Sequence, residues 1–309
     1  MANNLKVNFP RAGNARMCSF YAPNVTYPVI GDVFFVDSVN GTSSGPGFSP
    51  ESAYATVAQA LAVTNASSHT HLFLAPWHAE TVAAAGLAWN KAGVTIHGLG
   101  EGNLRPTFTW STTDAVVTVS GANTTIRNIR TTSSVDECVS MFNVTGAGVT
   151  FDMVDFVDPG ATQAIQWLIT TNAADRLTIK NCYHVQPSAA ASAQKWIQLV
   201  GTNDTQILDN TILMTANAST GSHAISGSTA VVNCMIARNY LQFLGATITI
   251  VVNCVTGSTG MICDNRAFSG TSVTTAGAYT GDGMYMSENY WADTAAASGL
   301  LAPVVDTDA

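Results

Sequence analysis

Cleaving a sugar chain needs side chains that move protons, and this sequence offers few. Glycosidases hold two carboxyl groups about 5 Å apart for retention or about 6.5–9.5 Å for inversion. Asp264 and Glu288, each directly before an asparagine, are the pair that adjacent repeats would bring together, and Asp155 stands in the densest acidic group, Asp152, Asp155 and Asp158. If the chain is an enzyme, Asp264, Glu288 and Asp155 are the catalytic candidates. His97 and His184 are lone histidines and read as turn or core residues before bases. Trp77, Trp89 and Trp110 offer faces for stacking on sugars or anchors for a protein interface. The six cysteines (Cys18, Cys138, Cys182, Cys234, Cys254 and Cys263) show no CxxC or histidine-paired spacing and read mostly as small core residues. No calcium loop of alternating Asp occurs. No metal and no cofactor is expected.

Residues so distant in sequence meet only if a repeat stacks them. An apolar residue followed shortly by Asn recurs at Ile126 to Asn128, Ile179 to Asn181, Ile207 to Asn210, Ile236 to Asn239, Ile262 to Asn265 and Met286 to Asn289, with Asp155 and Gly98 at the same place in two further copies. The marks at 98, 128, 155, 181, 210, 239, 265 and 289 give steps of 24 to 30 residues. Each repeat holds short β-rich runs, such as Val116 to Ser120 and Ile197 to Val200, and leaves no room for a crossover helix. Strands must pair with the next coil. The fold class expected is all-β: a right-handed, single-stranded parallel β-helix of about eight coils.

In such a solenoid, like positions stack one strand spacing apart, about 4.8 Å. Asn128, Asn181, Asn210, Asn239, Asn265 and Asn289 are then expected to form one structural ladder of amides. The residues before them alternate in sign from Lys180 through Asp209 and Arg238 to Asp264, which reads as an outer ladder of attracting charges. That reading absorbs most of the candidate carboxylates.

Composition narrows the partners. Twelve basic and 20 acidic residues give a net charge of −8 with no basic cluster, so no nucleic-acid partner is expected. No apolar run approaches the roughly 18 residues of a membrane span, and the N-terminus has no apolar h-region, so synthesis in a cytoplasm and no membrane partner are expected.

The segment from Phe34 to Gly102 adds a second line. It runs from Phe34-Phe35-Val36-Asp37-Ser38-Val39-Asn40-Gly41 through Ser49-Pro50-Glu51 and an apolar-periodic stretch, Ala53 to Val63. His71 to Pro76 and Gly93-Val94-Thr95-Ile96-His97-Gly98 follow. Ser49, Pro50 and Glu51 read as the start of a capping helix at about 50–64. This order resembles the opening of pectin-lyase-like right-handed parallel β-helix proteins. The resemblance implies the fold and leaves activity open, because that superfamily holds polysaccharide lyases and hydrolases, phage tailspikes and non-catalytic virion proteins. The Asn-Thr-Asp or Asp-Asp pair of polygalacturonases and the close Arg pair of pectate lyases are missing.

The domain plan expected is an extended N-terminal arm over 1–31, the β-helix over 32–292 and a C-terminal tail or cap over 293–309. A thin-charged rod with an arm and no enzyme motif reads as a non-enzymatic bacteriophage virion protein. The expected role is a capsid decoration or cement protein that forms a homotrimer on the capsid surface. Its arm, through Phe9, Arg11, Arg16, Phe20 and Tyr21, would contact the major capsid protein or another virion protein. A polysaccharide-degrading or glycan-binding β-helix of tailspike type, with a surface glycan as ligand, is the first alternative, and a tail or fibre component is the second.

Overall fold

A computed structural model describes residues 17–18, 29–65, 69–158, 160, 164–187, 189, 192, 194–215, 221–244, 250–269 and 279–292. Three parallel sheets wind into a right-handed β-helix. Sheet 1 has ten strands, from Val33–Val36 to Met284–Ser287; sheet 2 has nine, from Ala79–Val82 to Tyr290–Ala292; sheet 3 has eight, from Leu87–Trp89 to Tyr279–Gly281. Every neighbour in a sheet comes from the adjacent coil.

Strand alternation fills the interior. Ile96, Ile126, Phe151, Ile179, Ile207, Ile236 and Ile262 occupy one register position of sheet 1 in successive coils, all buried. Beside this column lies an aromatic layer, in which Phe142 meets Trp110, Phe151 and Trp167 at centroid distances of 5.3, 5.1 and 5.8 Å. Trp167 stacks on Trp196 at 5.6 Å. Trp89 and Trp110 are therefore core residues and are not available to sugars; only Trp77 of the three is exposed. Cys138, Cys182, Cys234, Cys254 and Cys263 are free thiols and buried.

Sheets 1 and 2 join through one residue in the left-handed region: Asn128, Met153, Asn181, Asp209, Arg238, Asp264 and Glu288, with φ of 54–57°. The next residue points inward, and from Asn210 onward it is asparagine. Asn210, Asn239, Asn265 and Asn289 form a buried ladder. The backbone N–H and the Nδ2 of Asn210 donate to Asn239 Oδ1 at 3.0 and 2.9 Å, and Asn239 does the same to Asn265 at 3.0 and 2.9 Å. Asn265 repeats the pattern on Asn289 at 3.1 and 3.0 Å. Asn128 and Asn181 stand one residue earlier, in the turn itself. Asn128 donates to Gly98 O and Gly100 O, and Asn181 to Asp152 Oδ1. The single expected ladder is thus two adjacent columns, because asparagine suits both a left-handed turn and an amide stack.

At the N-terminal end the helix is shorter than expected. Pro50–Ser52 is one 3-10 turn, Tyr54 bridges to Val36 and Thr42, and the α-helix spans Val57–Val63. Thr56 and Gln59 form its capping box, so the stop-start reflects a second cap seven residues beyond the predicted one. Before the coils, Met17–Cys18 pairs antiparallel with Val29–Ile30. Phe9, Arg11, Arg16, Phe20 and Tyr21, and the tail over 293–309, lie outside the described residues. No helix among the described residues is long and apolar enough to cross a membrane.

The two kinds of asparagine should respond differently to mutation. Asn239→Ala leaves the N–H and amide of Asn210 without their acceptor and Ile207 O without its donor, and should cost about 3 kcal/mol or more. Asn181→Gly keeps the left-handed turn and should change stability by about 1 kcal/mol or less. Urea unfolding of both variants checks the contrast; equal losses would refute it.

Candidate functional site

Of the carboxylates picked from the sequence, Asp264 and Glu288 come to equivalent positions one rung apart, and Asp155 stands away from them. Asp264 and Glu288 lie in adjacent coils on the exposed left-handed turn. Asp155 faces outward from sheet 2, and the register Asp155–Tyr183–Thr211–Tyr240–Arg266 sets it four rungs, about 19 Å, from the Arg266 rung beside Asp264. Arg105 closes an ion pair with Asp155. Asp152 faces outward from sheet 1 between Arg127 and Lys180, with Arg127 Nε 3.5 Å from its carboxylate. The charge ladder also differs from expectation. Lys180 is a strand residue paired with Asp152 and Leu208, so it does not stack on Asp209. Asp209 and Arg238 do pair, through two 2.7 Å hydrogen bonds on the exposed turn.

A different group comes together on the outer face of sheet 3. Strands Gln166–Thr170, Lys195–Val200, His223–Thr229, Val252–Cys254 and Tyr279–Gly281 lie side by side. Their register stacks Gln166, Lys195 and His223 in one column and Gln198, Ser226, Asn253 and Thr280 in the next. Lys195 Nζ donates to Gln198 Oε1 at 3.1 Å, and Gln166 Nε2 donates to the same oxygen at 3.1 Å. Gln198 in turn donates to Ser228 Oγ at 3.1 Å. His223 Nδ1 lies 2.9 Å from the carbonyl of Ile250, which can only accept, so Nδ1 carries the proton. The free Nε2 then accepts from Asn253 Nδ2 at 3.1 Å, and Thr280 holds the Asn253 carbonyl at 2.8 Å.

Charge sets this face apart. Lys195 is half-buried, and among the described residues no carboxylate lies within ion-pair distance of it. Burial holds its amine below the ordinary lysine range. Burial also lowers the His223 imidazole, and the charge of Lys195 adds to that. An imidazole and an amine whose charged forms burial disfavours, set among hydrogen-bonded amides, can accept a proton and orient hydroxyl groups. Lys195 escaped the sequence reading because no short motif surrounds it. The signal was the coil spacing of Gln166, Lys195 and His223, visible only once the register was known. Among the described residues no group of three or more His, Cys, Asp or Glu could hold a metal ion.

No known family profile matches the chain, and no curated protein matches it. Two solved structures are similar. The crystal structure of pectate lyase Pel9A is 13% identical with a TM-score of 0.49, covering 86% of this chain and 78% of its own. A rhamnogalacturonan lyase is 11% identical with a TM-score of 0.40, covering 84% of this chain and 87% of its own. At this identity the likeness describes the fold alone. The expectation of a non-enzymatic chain finds no support in these comparisons, since both neighbours are themselves polysaccharide lyases.

Other titratable groups serve the fold and give it a pH signature. His97 stacks on Phe73 at 5.0 Å, and His184 on Phe156 at 4.2 Å. Burial, with smaller contributions from His71 and Arg127, pushes His97 from 6.5 to about 3. Burial likewise pushes His184 from 6.5 to about 3, against its Gln186 contact. Each histidine's contribution is full above pH 6.5 and is lost as pH falls toward 3. Asp158 runs the other way. Burial, with Asp136 adding, raises it from 3.8 to about 6, so its contribution is full below 3.8 and is lost as pH rises through 6. The lowered histidines, with His71 and His223 acting in the same direction, outweigh one aspartate, so stability should fall by on the order of 1 kcal/mol or more per pH unit from 6 to 4. His184→Phe should lessen that slope and Asp158→Asn steepen it. Thermal midpoints across pH decide, and a wild-type midpoint flat over this range would count against the assignment.

Proposed function

We propose that the chain is a carbohydrate-active β-helix whose sheet 3 binds an acidic polysaccharide and opens it by β-elimination at Lys195. The observation that carries this reading is the half-buried Lys195 amine, held by Gln198 and without a carboxylate partner among the described residues. An acidic sugar supplies the missing anion, and the amides of Gln166, Gln198 and Asn253 match its hydroxyl groups in type and spacing.

The step needs only a base. Neutral Lys195 takes the proton from the carbon next to the sugar carboxylate, and the electron pair left behind forms a carbon–carbon double bond. The neighbouring carbon–oxygen bond breaks, the leaving oxygen takes its pair and then a proton from water, and Lys195 returns its proton to solvent. His223 and Asn253 hold the ring that Lys195 approaches.

The partly apolar outer face of sheet 1, with Met261 and Tyr285 exposed, favours a second role that is compatible with the first. In it the rod is a virion component on the capsid surface or in a tail or fibre, assembled as a homotrimer and docked to the major capsid protein through residues 1–31.

Lys195→Gln keeps a polar side chain one atom shorter and removes the base. On polygalacturonate it should lower formation of the unsaturated, ultraviolet-absorbing product by about a hundredfold or more while the thermal midpoint stays put. An undiminished rate would remove Lys195 from the chemistry. For the assembly role, deleting residues 1–31 should abolish co-sedimentation with particles, and retention on the particle would overturn arm docking.

A further inference from the structure

The outer face of sheet 2 carries a column that the site on sheet 3 does not use. In consecutive coils the register aligns Tyr183, Thr211, Tyr240, Arg266 and Tyr290. The three tyrosines are 40, 43 and 48% exposed, and no side-chain hydrogen bond or ring contact holds any of them among the described residues. They fall on every second rung, so their rings are about 9.6 Å apart and cannot stack on each other. The rungs between them are polar, with Thr211 offering a hydroxyl and Arg266 a fixed cation.

Three unpartnered aromatic faces in a straight line have a cost in water, and what they share is the chemistry of sugar contact. A pyranose ring has an apolar face that lies on an aromatic ring and an equatorial rim of hydroxyls. In an extended glycan the rings advance by about one per strand spacing, so every second ring meets a tyrosine and each intervening ring meets Thr211 or Arg266. Arg266 fits a carboxylate bidentately, which favours an acidic sugar at that rung.

From this alignment we infer that the tyrosine column is a second binding surface, taking an extended acidic glycan of about five rings along the rod axis. The inference rests on the reading of the protein as carbohydrate-active. It gives the rod a way to hold a polymer on one sheet while Lys195 acts on another. The surface needs no movement of the chain, because the solenoid already fixes the spacing of all five side chains.

Calorimetric titration of the whole protein with oligogalacturonates of two to eight rings tests it. Affinity should climb with length up to about five rings and then level off. Tyr240→Ala should weaken binding of the longer oligomers at least tenfold and Arg266→Gln severalfold. The titrations are run in Lys195→Gln protein as well as wild type, so that binding is read without cleavage of the oligomers. Tyrosine variants that bind like the wild type, while the wild type binds the oligomers and cleaves them through Lys195, would overturn the column and leave the sheet 3 reading standing. Wild-type protein that binds no oligomer would overturn both. If Tyr183→Ser with Tyr290→Ser changed the sedimentation mass and left sugar binding intact, the face would be an interface between copies of this chain and the inference would fail.

Discussion

One residue per coil, held in the left-handed region between sheets 1 and 2, carries the rest of the structure. That conformation costs an L residue about 1–2 kcal/mol, and among the described residues this turn adopts it seven times, at Asn128, Met153, Asn181, Asp209, Arg238, Asp264 and Glu288. Two solutions appear. In the early coils the turn residue is asparagine, which tolerates the region, and the inward neighbour is apolar: Ile129 after Asn128 and Cys182 after Asn181. In the later coils the turn residue is Asp209, Arg238, Asp264 or Glu288, and the inward neighbour is a ladder asparagine. The amide ladder thus lies behind the turns whose own residue suits them less well. Met153, followed by Val154, has neither device, and its sulfur takes a contact from Arg127 Nη2 at 3.7 Å.

This division explains what could be read from the chain alone and what could not. The coil period, the parallel pairing and the core isoleucines follow from spacing, because one apolar position per coil must face inward. The register between Asn181 and Asn210 does not follow. Both are asparagines after an Ile-containing strand, and only the backbone shows that one occupies the turn and the other the column behind it. A slip of one residue moves a side chain from one column to the next, so the charge alternation through Lys180 dissolved and Asp155 left the turn for sheet 2. Trp89 and Trp110 escaped for a related reason. Short strands in a solenoid bury large aromatics wherever three sheets leave room, and sequence does not say which of two alternating faces is inside. The helix start at Thr56 was masked by a stronger-looking Ser-Pro-Glu signal that makes only one 3-10 turn.

The candidate site is built from the same geometry. A solenoid coil has no pocket of its own, yet it sets side chains from distant sequence positions one strand spacing apart with little freedom to adjust. Gln166, Lys195 and His223 meet because their strands pair, and their hydrogen bonds run across coils to Gln198, Ile250 and Asn253. A group held this way pays little ordering cost when it meets a ligand. The same rigidity aligns the tyrosines on sheet 2, so two faces of one rod can present fixed rows without any loop being shaped for the purpose.

Sparse charge sharpens the meaning of Lys195. With only 10% charged residues, the outer rows of sheet 3 are mostly amides and hydroxyls, and a glutamine in place of Lys195 would continue the row at no electrostatic cost. Among the described residues Arg105 is neutralised by Asp155, Arg127 by Asp152 and Arg238 by Asp209, whereas Lys195, like Arg266 on sheet 2, stands outside these ion pairs. Lys195 differs in two respects that reinforce each other. Burial disfavours its charged form, which holds the amine below the ordinary lysine range, and no described acid offsets this. Stability alone would favour replacing or pairing such a group. Its position, between two glutamines and beside a histidine whose tautomer is fixed by a backbone carbonyl, is what the proposal of a base acting on an acidic sugar rests on.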